Sequence, residues 1–322
     1  MLETVRSFPT LLIAIFEVGR SYGIHATDGF SPFLQLRTKE CAMKRTYIWA
    51  GLLLFVAELA FLVGLRAPQT VRANSIVFST GAINNYGGNG DLTHDIAEAS
   101  DFRAWYLLNG HTPFSTWTDG SVWGSDFRDK GSPNDMEPSG GSDRAQVYYY
   151  TGHGTCPSSQ TTTSPVDFLV THGNFGQPDF THIVTDSVWG NNGGRLQFML
   201  IDASCPTELP EITQLFPIYG GLHMVTGNSG DTKHDTLDSE ARGNEFGLQT
   251  VGLPFFFFPQ LPVGDAWMNT GIIDVQSQVC AVAAAAGDTR DDAINRRENE
   301  FVTSGWGNPS NNWMAWKWIC LN

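Results

Sequence analysis

Val147-Tyr148-Tyr149-Tyr150-Thr151-Gly152-His153-Gly154 and, further along the chain, Phe198-Met199-Leu200-Ile201-Asp202-Ala203-Ser204-Cys205 follow one plan. Each is an apolar run, rich in aromatic or β-branched residues, closed by turn formers. That is the pattern of a strand buried on both faces of a parallel sheet. Open parallel sheets carry their chemistry just beyond the carboxyl ends of the strands. If the two strands are neighbours, His153 and Cys205 arrive together at one rim.

The residue types suit thiol chemistry. Attack on an amide needs a thiolate, a base beside it and donors for the oxyanion. A cysteine ionises near pH 8.5 when unperturbed, and a neighbouring imidazole lowers that value by favouring the charged form. Gly152 and Gly154 let the backbone turn tightly around His153. The backbone N–H groups of Gly154 and Cys205 are candidate oxyanion donors, each worth about 3 kcal/mol in comparable sites. Asp202, Cys156 and His223 are candidate supporting residues, and Asp126 and Asp129 a candidate surface for a basic substrate residue.

Working outward, Ser75 to Thr80 reads as a strand running into a Gly/Asn loop. Ile96, Ala99, Phe102, Trp105 and Tyr106 then fall at helical spacing behind a cap at Asp91 or Thr93, with Asn109-Gly110 as the stop. Thr112 to Asp143 reads as a long polar segment rich in carboxylates, whose spacing fits no calcium loop. Beyond Cys205, Glu208 to Phe216 reads as helix, Gly221 to Gly227 as strand and Asp238 to Val251 as helix. The four phenylalanines Phe255 to Phe258 read as buried, the Ala-rich stretch Asp265 to Ala286 as helix, and Trp313, Trp316 and Trp318 as an edge strand or lid. Alternating strands and helices predict an α/β sandwich with a mainly parallel sheet.

The N-terminal part has another character. Met43-Lys44-Arg45-Thr46, an apolar stretch from Ile48 to Leu65, and Val71-Arg72-Ala73 match a secretory signal peptide cleaved after Ala73, with a retained membrane anchor as the alternative. Residues 1–42 lack a period and precede a second possible start, so they read as an over-extended N-terminus. Residues 74–322 form the expected domain. It keeps 11 basic and 28 acidic residues, a net charge of −17. That balance disfavours nucleic acid and anionic membranes as partners and favours cationic ligands. The histidines lack zinc spacing, no phosphate loop is present, and no cofactor is expected.

Export sets the redox conditions. Cys156, Cys205, Cys280 and Cys320 remain in the exported part, an even count that suggests two disulfides. Cys280 with Cys320 is the preferred structural bridge. Cys156 follows His153 closely and is expected beside Cys205, as a reversible lock on the site or as a permanent structural bridge.

A strand ending in His-Gly, followed by a strand ending in an acid, small residues and Cys, resembles the caspase-like cysteine peptidases. The carriers are Tyr148 to Gly154 and Leu200 to Cys205. The resemblance implies a caspase-like three-layer α/β/α sandwich, His153 as proton acceptor and donor, Cys205 as nucleophile, and the Gly154 and Cys205 amides as oxyanion donors. Ser204 before the cysteine and Pro206 after it depart from the usual pattern. The chain is also similar to a secreted bacterial family of unassigned function that combines Trp-x-x-Asp-Phe-Arg-Asp, here Trp123 to Asp129, with the His-Gly and Cys pair. The expected function is a secreted cysteine hydrolase acting on a peptide or protein. The alternatives are a non-catalytic binding domain on the same fold and a cysteine-dependent transferase or cyclase.

Overall fold

The tyrosine run forms a strand whose side chains alternate between two cores, Tyr148 and Tyr150 on one face and Val147 and Tyr149 on the other. This strand, β3 (Val147–Thr151), lies in a computed structural model that describes residues 75–87, 90–128, 141–155, 168–172, 178–190, 194–232, 237–253, 258–273 and 279–320. All of them belong to the unit Thr70–Asn322. The expected signal peptide and leading segment, residues 1–73, lie outside the described residues, as do Asp129 and Cys156.

The strands around β3 are β1 (Val77–Ala82), β2 (Thr112–Thr118), β7 (Phe198–Asp202), β8 (Met224–Ser229), β9 (Cys280–Gly287) and β10 (Trp313–Cys320). They make a seven-stranded sheet in the order β10-β9-β8-β7-β3-β1-β2. The pairs from β2 to β8 are parallel, and β9 and β10 each pair antiparallel with the preceding strand. A three-stranded antiparallel sheet holds β4 (Gly154–Thr155), β5 (Phe168–His172) and β6 (Pro178–His182). The fold is therefore α/β with a mostly parallel main sheet. Among the described residues no helix is long and apolar enough to cross a membrane.

One face of the main sheet carries α1 (Asp95–Leu108), α3 (Leu237–Val251) and α4 (Val263–Ile273), packing Phe102, Tyr106, Phe246 and Trp267 against Phe78, Tyr149 and Leu200. Helix α5 (Arg290–Asn299) continues this layer. The opposite face is covered by a 3₁₀ helix, Leu209–Ile218, by the single-turn α2 (Ile183–Asp186), and by loops that supply Val122, Phe127 and Trp189. Burying each large aromatic removes apolar area worth about 2–3 kcal/mol from water. Helices α1 and α3 approach closely because Gly243 and Gly247 fall one turn apart. A side chain at Gly243 would run into the Glu98 carbonyl, and one at Gly247 would lie 3.1 Å from the Phe102 Cα.

Several expectations change. The Ala-rich stretch is helical only over Val263–Ile273; Cys280–Gly287 is a strand buried between β8 and β10. Its alanines serve close packing, since Gly271 of α4 lies directly on Ala281, and that tertiary demand overrides alanine's helix propensity. The polar segment after Asn109 begins with a strand, β2, legible only as an exposed edge of Thr and Ser. The start of α1 is capped from outside, by Asn84 accepting the Ile96 N–H at 3.0 Å, while Asp91 accepts from Tyr86. The segment before Ile218 is 3₁₀ rather than α. Of the four phenylalanines, Phe258 is more than half exposed and the other three lie outside the described residues.

Cys280 and Cys320 are directly opposite in the β9–β10 ladder and form a disulfide. This bridge fits an oxidising, extracytoplasmic environment.

Candidate functional site

Strand β3 pairs in register with β7, so that Thr151 faces Asp202 across the ladder. The two chain turns that follow stay together. Gly152 donates its N–H to the Asp202 carbonyl at 3.1 Å, and the backbone of Gly154 packs so closely on Ser204 that any side chain there would strike the Ser204 carbonyl. His153 and Cys205 therefore leave neighbouring strand ends at one rim of the sheet.

His153 is fixed from three sides. Its backbone N–H donates to the Tyr86 hydroxyl at 2.8 Å, its ring lies against the Tyr86 ring with centroids 4.7 Å apart, and its Nε2 is 2.5 Å from the Gly90 carbonyl. A carbonyl only accepts, so Nε2 carries the proton and the lone pair of the neutral ring is on Nδ1. The Gly/Asn loop after β1 thus selects the tautomer.

Cys205 has a left-handed backbone, φ 61°, which is uncommon for a residue with a side chain and marks a tight elbow after β7. It is fully buried and its sulfur is disulfide-bonded. Cys156, the partner expected from the sequence, lies outside the described residues. The Cys205 N–H donates to the Gly230 carbonyl at 3.1 Å. In this state that N–H is engaged by a backbone acceptor.

Beneath the elbow sits a buried polar cluster that sequence reasoning missed. Arg242 on α3 donates to Asp202 Oδ1 at 2.5 Å and to Asn228 Oδ1 at 3.1 Å, and stacks over Trp267 at 5.0 Å. Asn228 in turn donates to Asp202 Oδ1 at 2.8 Å and to the Ala203 carbonyl at 3.2 Å, which holds the start of the elbow. Asp202 is thus a buried partner of Arg242 and does not reach the rim. From the N-terminus of α1, Asp95 accepts the Thr151 hydroxyl at 2.5 Å and Glu98 accepts the Tyr149 hydroxyl. Burial pushes the Glu98 carboxyl well above the usual carboxylate range, and the charges of Asp202 and Asp95 add to the shift. One signal was present in the sequence: Asp95 and Glu98 occupy the same helical stripe as Ala99, Phe102 and Tyr106.

Two expected residues lie elsewhere. His223 immediately precedes β8, whose first residue pairs with the start of β7, so it sits at the opposite rim from Cys205. There it is fully buried, with Nδ1 2.5 Å from Glu300 and Nε2 3.2 Å from Asn308 Oδ1. Asp126 is not on an exposed acidic surface: it is buried in a 3₁₀ turn and accepts the Trp123 N–H at 2.8 Å. Burial raises its pKa to about 6, against the lowering effect of that hydrogen bond. Among the described residues no group of three His, Cys, Asp or Glu converges to hold a metal ion.

A family model described as a domain of unknown function, DUF6345, matches residues 80–319. The chain belongs to the DUF6345 family. The match runs from within β1 to within β10, so the DUF6345 domain includes part or all of every strand of the main sheet together with His153, Cys205 and the buried cluster. A search of the curated proteins finds no match to the chain.

Proposed function

We propose that this DUF6345 domain is an exported, caspase-like cysteine hydrolase that cleaves amide bonds in peptides through His153 and Cys205, and that its nucleophile is held in reserve by a disulfide. The observation that carries the reading is the meeting of two motif ends at one rim: a histidine whose Nε2 is engaged by a backbone carbonyl, beside a cysteine on a strained elbow.

Reduction of the disulfide by an external dithiol frees the Cys205 thiol, and this reading takes Cys156 as the other half of the bridge. His153 Nδ1 accepts the thiol proton while Nε2–H remains on Gly90. The thiolate attacks the substrate carbonyl, and this reading assigns the Gly154 N–H to the developing oxyanion. His153 then returns the proton to the departing amine. Water hydrolyses the thioester with the same imidazole acting as base. For Cys205 to supply the second oxyanion donor, its N–H must leave the Gly230 carbonyl when the elbow relaxes.

The bonded, fully buried state of Cys205 favours a second reading, a non-catalytic extracellular domain in which the bridge is structural. The two are separated by incubating the exported chain with a random peptide library, with and without a mild thiol. The hydrolase reading expects cleavage only after reduction, and its loss in Cys205→Ala and in His153→Ala. No cleavage under either condition favours the binding domain.

A further inference from the structure

We propose, building on the hydrolase reading, that Asp231 determines specificity and selects a substrate with an arginine or lysine side chain before the scissile bond. Asp231 lies just past the end of β8, on the same rim as Cys205, in a segment tied to the elbow by three contacts. Ser204, the residue before Cys205, donates its hydroxyl to Asp231 Oδ1 at 2.9 Å. The Thr232 N–H donates back to Ser204 Oγ at 3.0 Å, and the Cys205 N–H donates to the Gly230 carbonyl at 3.1 Å. Residues 230–232 therefore run alongside residues 204–205.

The strand order places β7 between β3 and β8, so His153 and Asp231 flank Cys205 on opposite sides. A substrate carbonyl seated at the sulfur, with its leaving amine toward His153, turns the preceding side chain toward Asp231.

Other described carboxylates of this rim are occupied. Asp119 accepts the N–H groups of Asn84 and Asn85, Asp91 accepts that of Tyr86, Glu208 accepts from Ser229 and Gly230, and Asp202 is buried against Arg242. Asp231 is exposed, and among the described residues its carboxylate meets only the Ser204 hydroxyl and no cation. An exposed anion held by a hydrogen bond at a fixed place beside the nucleophile is suited to a guanidinium or ammonium group. The acidic surface of the domain adds a long-range attraction for cationic peptides.

The test uses the reduced full chain and peptide amides that differ only in the residue before the cleaved bond: Arg, Lys, Gln, Ala or Asp. The wild-type protein is expected to prefer Arg and Lys over Gln by about tenfold or more in kcat/KM. Asp231→Asn should bring that ratio close to one, Asp231→Glu should retain it, and Asp231→Lys should turn it toward Asp. Ser204→Ala, which frees the carboxylate without removing it, should lower the ratio part of the way. Alkylation of Cys205 by iodoacetamide, which needs no substrate side chain, is followed in parallel. His153-dependent alkylation without a basic preference, or a preference that survives Asp231→Asn, overturns the assignment of Asp231 alone. Absence of both alkylation and hydrolysis overturns the hydrolase reading and this inference with it.

Discussion

The Nε2 of His153 lies 2.5 Å from the carbonyl oxygen of Gly90, a residue on the loop that follows a different strand. This contact orients the ring of a strand-end histidine. Gly90 has φ +94°, and a Cβ there would lie 3.2 Å from Nε2. Gly90→Ala should therefore push the ring off the carbonyl. The alkylation rate of reduced Cys205 is expected to fall about tenfold, with the far-UV circular dichroism spectrum unchanged. An unchanged rate would remove Gly90 from the account.

Glu98 is a buried acid facing Asp95, Asp202, Tyr149 and Thr151. Its folded pKa is raised above the ordinary 4.5, first by burial and then by the charge of Asp202. A raised folded value means that this group's contribution is fully present below the ordinary glutamate range and is lost as pH rises toward the folded value. Denaturant titrations from pH 4 upward should show wild type losing stability relative to Glu98→Gln, whose amide cannot ionise. A difference that is flat with pH would show that Glu98 ionises normally.

Arg242 balances Asp202 where water does not reach. Arg242→Met keeps much of the side-chain volume and leaves Asp202 a buried, uncompensated charge. The expected loss is about 3–5 kcal/mol of unfolding free energy. The double change Arg242→Met with Asp202→Asn should recover part of it. Chemical denaturation measures both, and equal losses in the single and double variants would contradict the pairing.

The Cys280–Cys320 bridge closes a 40-residue separation and ties the edge strand β10 to β9. Replacing both cysteines with serine should lower stability by about 2–4 kcal/mol, read from urea unfolding. It should leave His153-dependent alkylation of Cys205 in place, because β8 stands between the bridged strands β9 and β10 and the elbow after β7. Loss of that alkylation would couple the two.

The sequence carried the strands that build the rim because Tyr148 to Tyr150 and Phe198 to Ile201 are apolar on both faces, a pattern few other elements produce. It misread Ala281 to Ala286 because alanine's helix propensity is a local signal, whereas the strand there answers a distant glycine on α4. It passed over Thr112–Thr118 because an exposed edge strand need not be apolar. His223 was misplaced for a different reason: a strand's composition does not say which of its ends faces the site. The contacts of Glu98, Asp202, Asn228 and Arg242 join four elements distant in sequence, and the tether from Ser204 to Asp231 spans 27 residues. Neither has a local signature.

The most direct test of the central claim is the alkylation of Cys205 by iodoacetamide, followed by peptide mass spectrometry before and after mild reduction, in wild type and in His153→Ala. A His153/Cys205 pair locked by a disulfide gives no labelling before reduction, rapid labelling of Cys205 afterwards, and a rate that falls about tenfold or more when the imidazole is removed. A Cys205 that stays unlabelled after reduction, or one labelled equally fast without His153, would contradict it.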